Sequence, residues 1–270
     1  LHNGENITTF AVENYNNIMT PNRYNILKQQ LEHRVLLLDG AMGSLIQQYN
    51  LSEEDFTGEK FVGVTLQMKG NNDILNITKP QVIKEIHSRY LEAGCDIIET
   101  NTFNGTSISQ ADYNTQKYVY EINFNGAKNA REMADKYSTP EKPRFVAGSM
   151  GPTNKTASMS PDVNNPGFRE VTFDDMVAAY TEQVRGLLDG GVDIFLVETC
   201  FDTINIKAAL YAINQELEQR NIDKFPIMVS ATIADKSGRT LAGQTVEALL
   251  YSVSHVELLT IGLNCSFGAR

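Results

Sequence analysis

Apolar residues in this chain gather in short continuous runs, separated by longer stretches with helical spacing. The runs lie at residues 35–38, 96–98, 144–147, 194–197, 227–231 and 258–262. They are unbroken rather than alternating, which predicts strands covered on both faces, as in parallel sheets. Between them, Pro80 opens a helix at a position where no amide partner is needed. Val82, Ile83, Ile86, Tyr90 and Leu91 mark one face of it, and Gly94 ends it. Thr172 and Asp175 form a capping box for a second helix, with Met176, Val177, Tyr180, Val184, Leu187 and Leu188 as its buried stripe and Gly190-Gly191 as its stop. Ile206, Leu210, Ile213 and Leu217 mark a third. Thr245 caps a fourth that carries Val246, Leu249, Leu250 and Val253.

One echo supports repeated strand–helix units. Gly94-Cys95-Asp96-Ile97-Ile98-Glu99-Thr100 resembles Gly191-Val192-Asp193-Ile194-Phe195-Leu196-Val197-Glu198-Thr199. Both join a helix-ending glycine to a strand that finishes in Glu-Thr. The second is longer by two residues, which keeps each glutamate on the same face of its strand. Such repetition predicts an α/β fold, either a (β/α)8 TIM-type barrel or an open doubly wound sheet. About six units are countable where a closed barrel needs eight, so the expectation is a barrel whose last two units would lie beyond Arg270. The expected organisation is an amino-terminal extension over 1–25 and the barrel over 26–270. Segments 47–77 and 151–171 are too long for simple connections, and long loops within compact domains are usually functional or disordered.

Composition narrows the possibilities. Of 270 residues, 41% are hydrophobic, and 33 acidic against 23 basic side chains give a net charge of −10. With no basic stripe, nucleic-acid binding has no electrostatic footing. No apolar run is long enough to span a bilayer, and the amino end lacks the order of a signal peptide. Three widely spaced cysteines, Cys95, Cys200 and Cys265, fit a reducing cytoplasm better than a disulfide framework.

The strand ends collect polar groups: Asp39 after the first run, Glu99 after the second, Gly148-Ser149-Met150-Gly151 at the third, Glu198 after the fourth and Cys265 after the sixth. In a barrel these ends share one rim, so residues distant in sequence converge there. A lone strand-end acid is often only a helix cap; several acids and a thiol on one rim favour a site. Asp39-Gly40-Ala41-Met42-Gly43 lacks the Gly-x-Gly-x-x-Gly fingerprint, which argues against a dinucleotide. An acid beside free amides suits a zwitterion, the acid taking an ammonium and the amides a carboxylate. Cys265 reads as an inert core thiol, as a nucleophile with His255 the only histidine close in sequence, or as a zinc ligand that still needs partners.

At this point the motifs match a family. The chain from about Val35 to Arg270 resembles the homocysteine-binding modules of cobalamin-dependent methionine synthases. The likeness is carried by Leu38-Asp39-Gly40-Ala41-Met42-Gly43, Lys69-Gly70-Asn71-Asn72-Asp73, Glu99-Thr100-Asn101-Thr102-Phe103, Gly151-Pro152-Thr153-Asn154-Lys155-Thr156-Ala157-Ser158 and Ser160-Pro161-Asp162-Val163. It continues in Val197-Glu198-Thr199-Cys200-Phe201-Asp202-Thr203, Ser237-Gly238-Arg239-Thr240-Leu241-Ala242-Gly243-Gln244-Thr245 and Gly262-Leu263-Asn264-Cys265. The resemblance implies a (β/α)8 barrel that transfers a methyl group to homocysteine, giving methionine. It implies zinc held by three cysteine sulfurs, of which Cys265 matches the first, while the adjacent pair after the eighth strand would lie beyond Arg270. Asp39 and Glu198 match the acids that bind the substrate ammonium, the Gly40 region would cradle the carboxylate, and Glu99, Thr100 and Asn101 would line the rim. Methylcobalamin would come from another module of a parent chain that also carries a folate-binding module. The alternatives are a homocysteine methyltransferase using betaine or S-methylmethionine, and a non-catalytic amino-acid-binding barrel.

Overall fold

In the computed structural model, residues 21–233 and 236–265 are described. Helix α1 (Pro21–His33) leads to short helix α2 (Met42–Gln48) and then α3 (Pro80–Ala93). Strand–helix units follow: β1 (Ile97–Glu99), α4 (Val119–Tyr137), β2 (Phe145–Met150), α5 (Phe173–Gly190), β3 (Ile194–Cys200), α6 (Thr203–Gln219), β4 (Ile227–Ala231), α7 (Val246–Val253) and β5 (Thr260–Leu263). The helix starts and stops follow the expected chemistry. Pro80 stands at the start of α3 and Gly94 ends it at φ 108°. Thr172 and Asp175 cap α5 reciprocally, and the Thr245 hydroxyl accepts from the Ala248 amide.

The five strands are parallel and lie in chain order, β1-β2-β3-β4-β5. A doubly wound sheet reverses its order at a switch point; this one does not among the described residues, in keeping with a TIM-type barrel. The predicted first strand is reduced to a single bridge between Leu38 and Ile97. Its backbone still reaches β1, since the Asp39 amide donates to Ile97 O at 2.9 Å and Leu37 O accepts from Asp96 and Ile97. Bonded on that side only, it leaves Val35 and Leu37 exposed. Among the described residues the sheet therefore holds five strands, with the Leu38 bridge in place of a sixth, where six strands were expected.

Alternate strand residues serve two cores, as a period of two requires. Ile98, Val146, Phe195, Val197 and Val229 pack against the helices. Ile97, Phe145, Ala147, Ile194 and Leu196 pack on the other face with Leu27 of α1. Helix α1 spans residue 25, where the extension was expected to end. Ion pairs hold it at the amino ends of the strands. Arg34 grips Asp96 through two 2.8 Å hydrogen bonds, just before β1. Arg23 reaches Asp193, just before β3, and donates to Arg144 O at 2.8 Å. Arg131 adds a 2.6 Å contact to Asp193. With the amino ends covered, the carboxyl ends of the strands are left for chemistry. No helix among the described residues is long and apolar enough to cross a membrane.

Candidate active site

The carboxyl ends of the strands bring three acids together. Asp39 follows the Leu38 bridge, Glu99 ends β1, and Glu198 lies near the end of β3 on the face of Ile194 and Leu196. One Asp39 oxygen accepts the Glu99 amide at 3.0 Å, while the other is buried with no hydrogen-bond partner. Glu198 accepts the Ser149 hydroxyl at 2.6 Å and the Thr199 hydroxyl at 3.2 Å. An exposed Cys265 follows β5 within electrostatic reach of Glu99.

The electrostatics follow from like charges in a dry place. Burial pushes Asp39 up to about 8; the Glu99 amide opposes this and the charge of Glu198 adds to it. Burial, then the charges of Glu198, Asp39 and Cys265, hold Glu99 well above the usual carboxylate range. Burial also raises Glu198, against the pull of its two hydroxyl donors. Among the described residues, no lysine, arginine or histidine belongs to the groups that set these three shifts. A cluster of buried carboxylates with an orphaned oxygen and no balancing cation among the described residues is an acceptor site for one, because buried charges are otherwise paired or neutralised.

The other expected rim residues are engaged within the protein. Thr100 Oγ1 accepts the Ser149 amide at 2.9 Å and shares a hydrogen bond with Thr102, tying the turn after β1 to β2. Asn101 donates to Asn72 O at 2.8 Å, and its carbonyl accepts from Asn76 at 2.7 Å. Asp73 accepts the Asn104 amide at 2.8 Å, and burial pushes it up to about 7. These contacts shape the loop that carries Glu99 onward. Near Gly40, a methyl at its Cα would lie 3.2 Å from the Tyr90 hydroxyl, which donates to Ala41 O. Ala41, at the start of α2, offers no side-chain cap to the first-turn amides.

The long loop 151–171 is strapped down at the same end. Asp202, the N-cap of α6, accepts the hydroxyls of Thr156 and Ser158 as well as the Ile204 amide. Asn205 accepts the Thr153 amide at 3.1 Å, and Arg169 donates to Ala157 O at 2.6 Å.

The thiols divide clearly. Cys95 is buried before β1, at the far end of the strand. Cys200 is buried in the helix-facing core and its sulfur donates to Glu198 O at 3.3 Å, so it does not face the acids. Among the described residues no three His, Cys, Asp or Glu side chains are grouped to hold a metal ion. His255, exposed after α7, has no pairing with Cys265 among the hydrogen bonds of the described residues.

Sequence reasoning missed the roles of Ser149 and Thr199, the two hydroxyls on Glu198. Ser149 was findable: on a period of two it shares the inner face with Phe145 and Ala147, and a polar residue there, next to a strand end, marks a site. Thr199 was visible only as half of the Glu-Thr echo.

The family profile described as homocysteine S-methyltransferase matches residues 36–270. Among solved structures, the metallated form of the homocysteine methyltransferase MmuM from Escherichia coli aligns with a TM-score of 0.67 at 20% identity, covering 87% of this chain and 76% of that one. The oxidized form of the same protein aligns with a TM-score of 0.67 at 21% identity, over 88% and 76%. At such identity the likeness speaks for the fold.

Proposed function

Since this chain belongs to the homocysteine S-methyltransferase family, we propose that its acidic rim binds the ammonium of homocysteine and presents the sulfur for methylation to methionine. The observation that carries this reading is the buried Asp39, Glu99 and Glu198 cluster, with no balancing cation among the described residues and the exposed thiol of Cys265 within electrostatic reach of Glu99. Asp39 and Glu198 take the ammonium, and the amides after Gly40 take the carboxylate. The substrate sulfur then points toward Cys265. The homocysteine thiol gives up its proton, its sulfur forms a bond to the methyl carbon, and the bond from that carbon to the donor breaks with its electron pair staying on the donor.

The donor in this reading is methylcobalamin, presented by another module of a longer parent chain that also binds folate. Support comes from the motif set that runs from Asp39 to Cys265, including the strapped loop 151–171. The compartment is the cytoplasm, in line with the free thiols Cys95, Cys200 and Cys265. The reading also assigns Cys265 as a zinc ligand. A three-sulfur zinc centre fits the described residues only in part: Cys265 is the exposed thiol, and Cys95 and Cys200 are buried elsewhere. Two further donors are required.

A donor comparison tests the proposal. The longer parent protein, given homocysteine and either methylcobalamin, S-methylmethionine or betaine, should form methionine with methylcobalamin alone, read by mass spectrometry. Methionine formed from S-methylmethionine or betaine instead would keep the family chemistry and replace the donor.

A further inference from the structure

Strand β3 carries one residue more than its neighbour near its end. Val197 pairs with Val229, yet Cys200 pairs with Ala231, so three steps on β3 match two on β4. Such a bulge re-aims side chains at a strand end. It falls at Glu198 and Thr199, and Thr199 sits at φ 56°. That is a left-handed conformation that a β-branched residue rarely adopts, and it persists only when its surroundings hold it.

Asn264 holds it. Its Oδ1 accepts the Thr199 amide at 3.0 Å, and its Nδ2 donates to Thr199 Oγ1 at 2.8 Å. The clasp reaches from the end of β5 over β4 to β3, which is not its sheet neighbour. Asn264 is itself fixed on β4. Its amide donates to Ala231 O at 3.0 Å, its Oδ1 also accepts the Ser230 hydroxyl at 2.7 Å, and its carbonyl accepts the Thr232 hydroxyl at 3.1 Å.

The donor inventory fixes the direction of this chain of bonds. An amide nitrogen only donates, so the Thr199 hydroxyl must accept from Asn264 and has its single proton left for Glu198, 3.2 Å away. One side chain therefore orients the acid through Thr199, and in the next residue of the chain it carries Cys265, which also has a left-handed backbone at φ 48°.

We propose that Thr199 and Asn264 are positioning residues that set the span between the ammonium-binding carboxylate and the sulfur end of the site, and so select homocysteine over the shorter cysteine. This rests on the reading that Glu198 takes the ammonium and the substrate sulfur lies toward Cys265. Two rigidly linked anchors measure the length of an amino acid; loosening the link lets a molecule one methylene shorter compete. A missing methylene in a fitted pocket is worth about 10–200-fold, which bounds the discrimination available.

The test is calorimetric titration of the parent protein with L-homocysteine and, separately, L-cysteine, for wild type, Thr199→Val and Thr199→Ser. Thr199→Val keeps the shape and removes the relay. The expected result is that the homocysteine-to-cysteine affinity ratio falls about tenfold, and that Thr199→Ser, which keeps the hydroxyl, restores it. A general loss of structure would weaken both ligands together and leave the ratio unmoved. A ratio unchanged in folded Thr199→Val overturns the proposal. Should that variant not fold, Ser230→Ala removes one anchor of Asn264 with little backbone demand; a smaller fall in the ratio is then expected, and an unchanged ratio overturns the proposal equally. Failure of the wild type to bind homocysteine would instead overturn the functional reading on which it rests.

Discussion

Asp39→Asn and Glu198→Gln are each expected to weaken homocysteine binding by about tenfold to a hundredfold, the worth of roughly 1.5–3 kcal/mol for a charge-assisted contact. Both substitutions keep size and shape, and an asparagine amide in place of the Asp39 carboxylate would still offer an oxygen to the Glu99 amide. The free protein should respond in the opposite sense. Removing one of three crowded carboxylates relieves like-charge repulsion and fills the place of an orphaned buried oxygen with a donor. Melting temperatures at pH 8 should therefore stay level or rise while affinity falls. Calorimetry and thermal unfolding on the same samples check both halves. Undiminished affinity in both variants would remove these residues from the site, and a fall in stability to match the fall in affinity would mark them as structural.

On the proposed reading, in which Cys265 is a zinc ligand within a longer parent protein, Cys265→Ala is expected to abolish zinc retention and methyl transfer there, because a catalytic zinc site with three protein ligands does not survive the loss of an anionic sulfur. The 270-residue chain itself should bind zinc weakly or not at all. Its other two thiols are committed elsewhere: Cys200 lies in the helix-facing core and Cys95 beside the amino end of β1. Burial pushes the Cys95 thiol up to about 12 and the Cys200 thiol higher still, so neither is poised to ionise and seek a metal. Metal content by mass spectrometry after dialysis decides both points. Stoichiometric zinc on the 270-residue chain that survives Cys265→Ala would place the metal elsewhere.

The parts of this fold that were legible in the sequence are those where burial or capping writes a local pattern. β2 and β3 are covered on both faces and read as unbroken apolar runs. α3, α5 and α7 announce themselves by Pro80, by the Thr172–Asp175 box and by Thr245. Helix α4 was missed because its buried face is diluted by Asn123, Gly126 and Asn129. Asn123 donates to Gly105 O and Val119 O, and Asn129 to Asn76 O, so polar side chains do there what leucines do elsewhere. Helix α1 was hidden for a related reason: besides Leu27 it is docked by Arg23 on Asp193 and, just past its end, by Arg34 on Asp96, and the apolar pattern does not report ion pairs with residues far along the chain.

The site was legible to a similar depth. Asp39, Glu99 and Glu198 could be named because strand-end position alone brings acids to one rim. Their mutual repulsion could not, since it depends on burial and on which charged groups the fold brings near, neither of which a sequence spells out. The bulge at Thr199 is equally silent. It is a difference of one residue between two strands, and only the pairing of Cys200 with Ala231 reveals it.

The measurement closest to the central claim is the proton balance of homocysteine binding. Burial and the charge of Glu198 raise Asp39 to about 8, so near neutral pH the free cluster of Asp39, Glu99 and Glu198 retains protons that an all-exposed set of carboxylates would have lost. An ammonium favours the carboxylate, so binding must expel protons, and affinity should rise as pH climbs from 6 toward 8. Titrations of the parent protein in two buffers of different ionisation enthalpy give the number released. Because the substrate thiol can lose a proton as well, wild type is compared with Asp39→Asn. The account predicts that wild type releases more protons than the variant, by up to about one per site. Equal release in the two proteins, at saturating homocysteine, would contradict it.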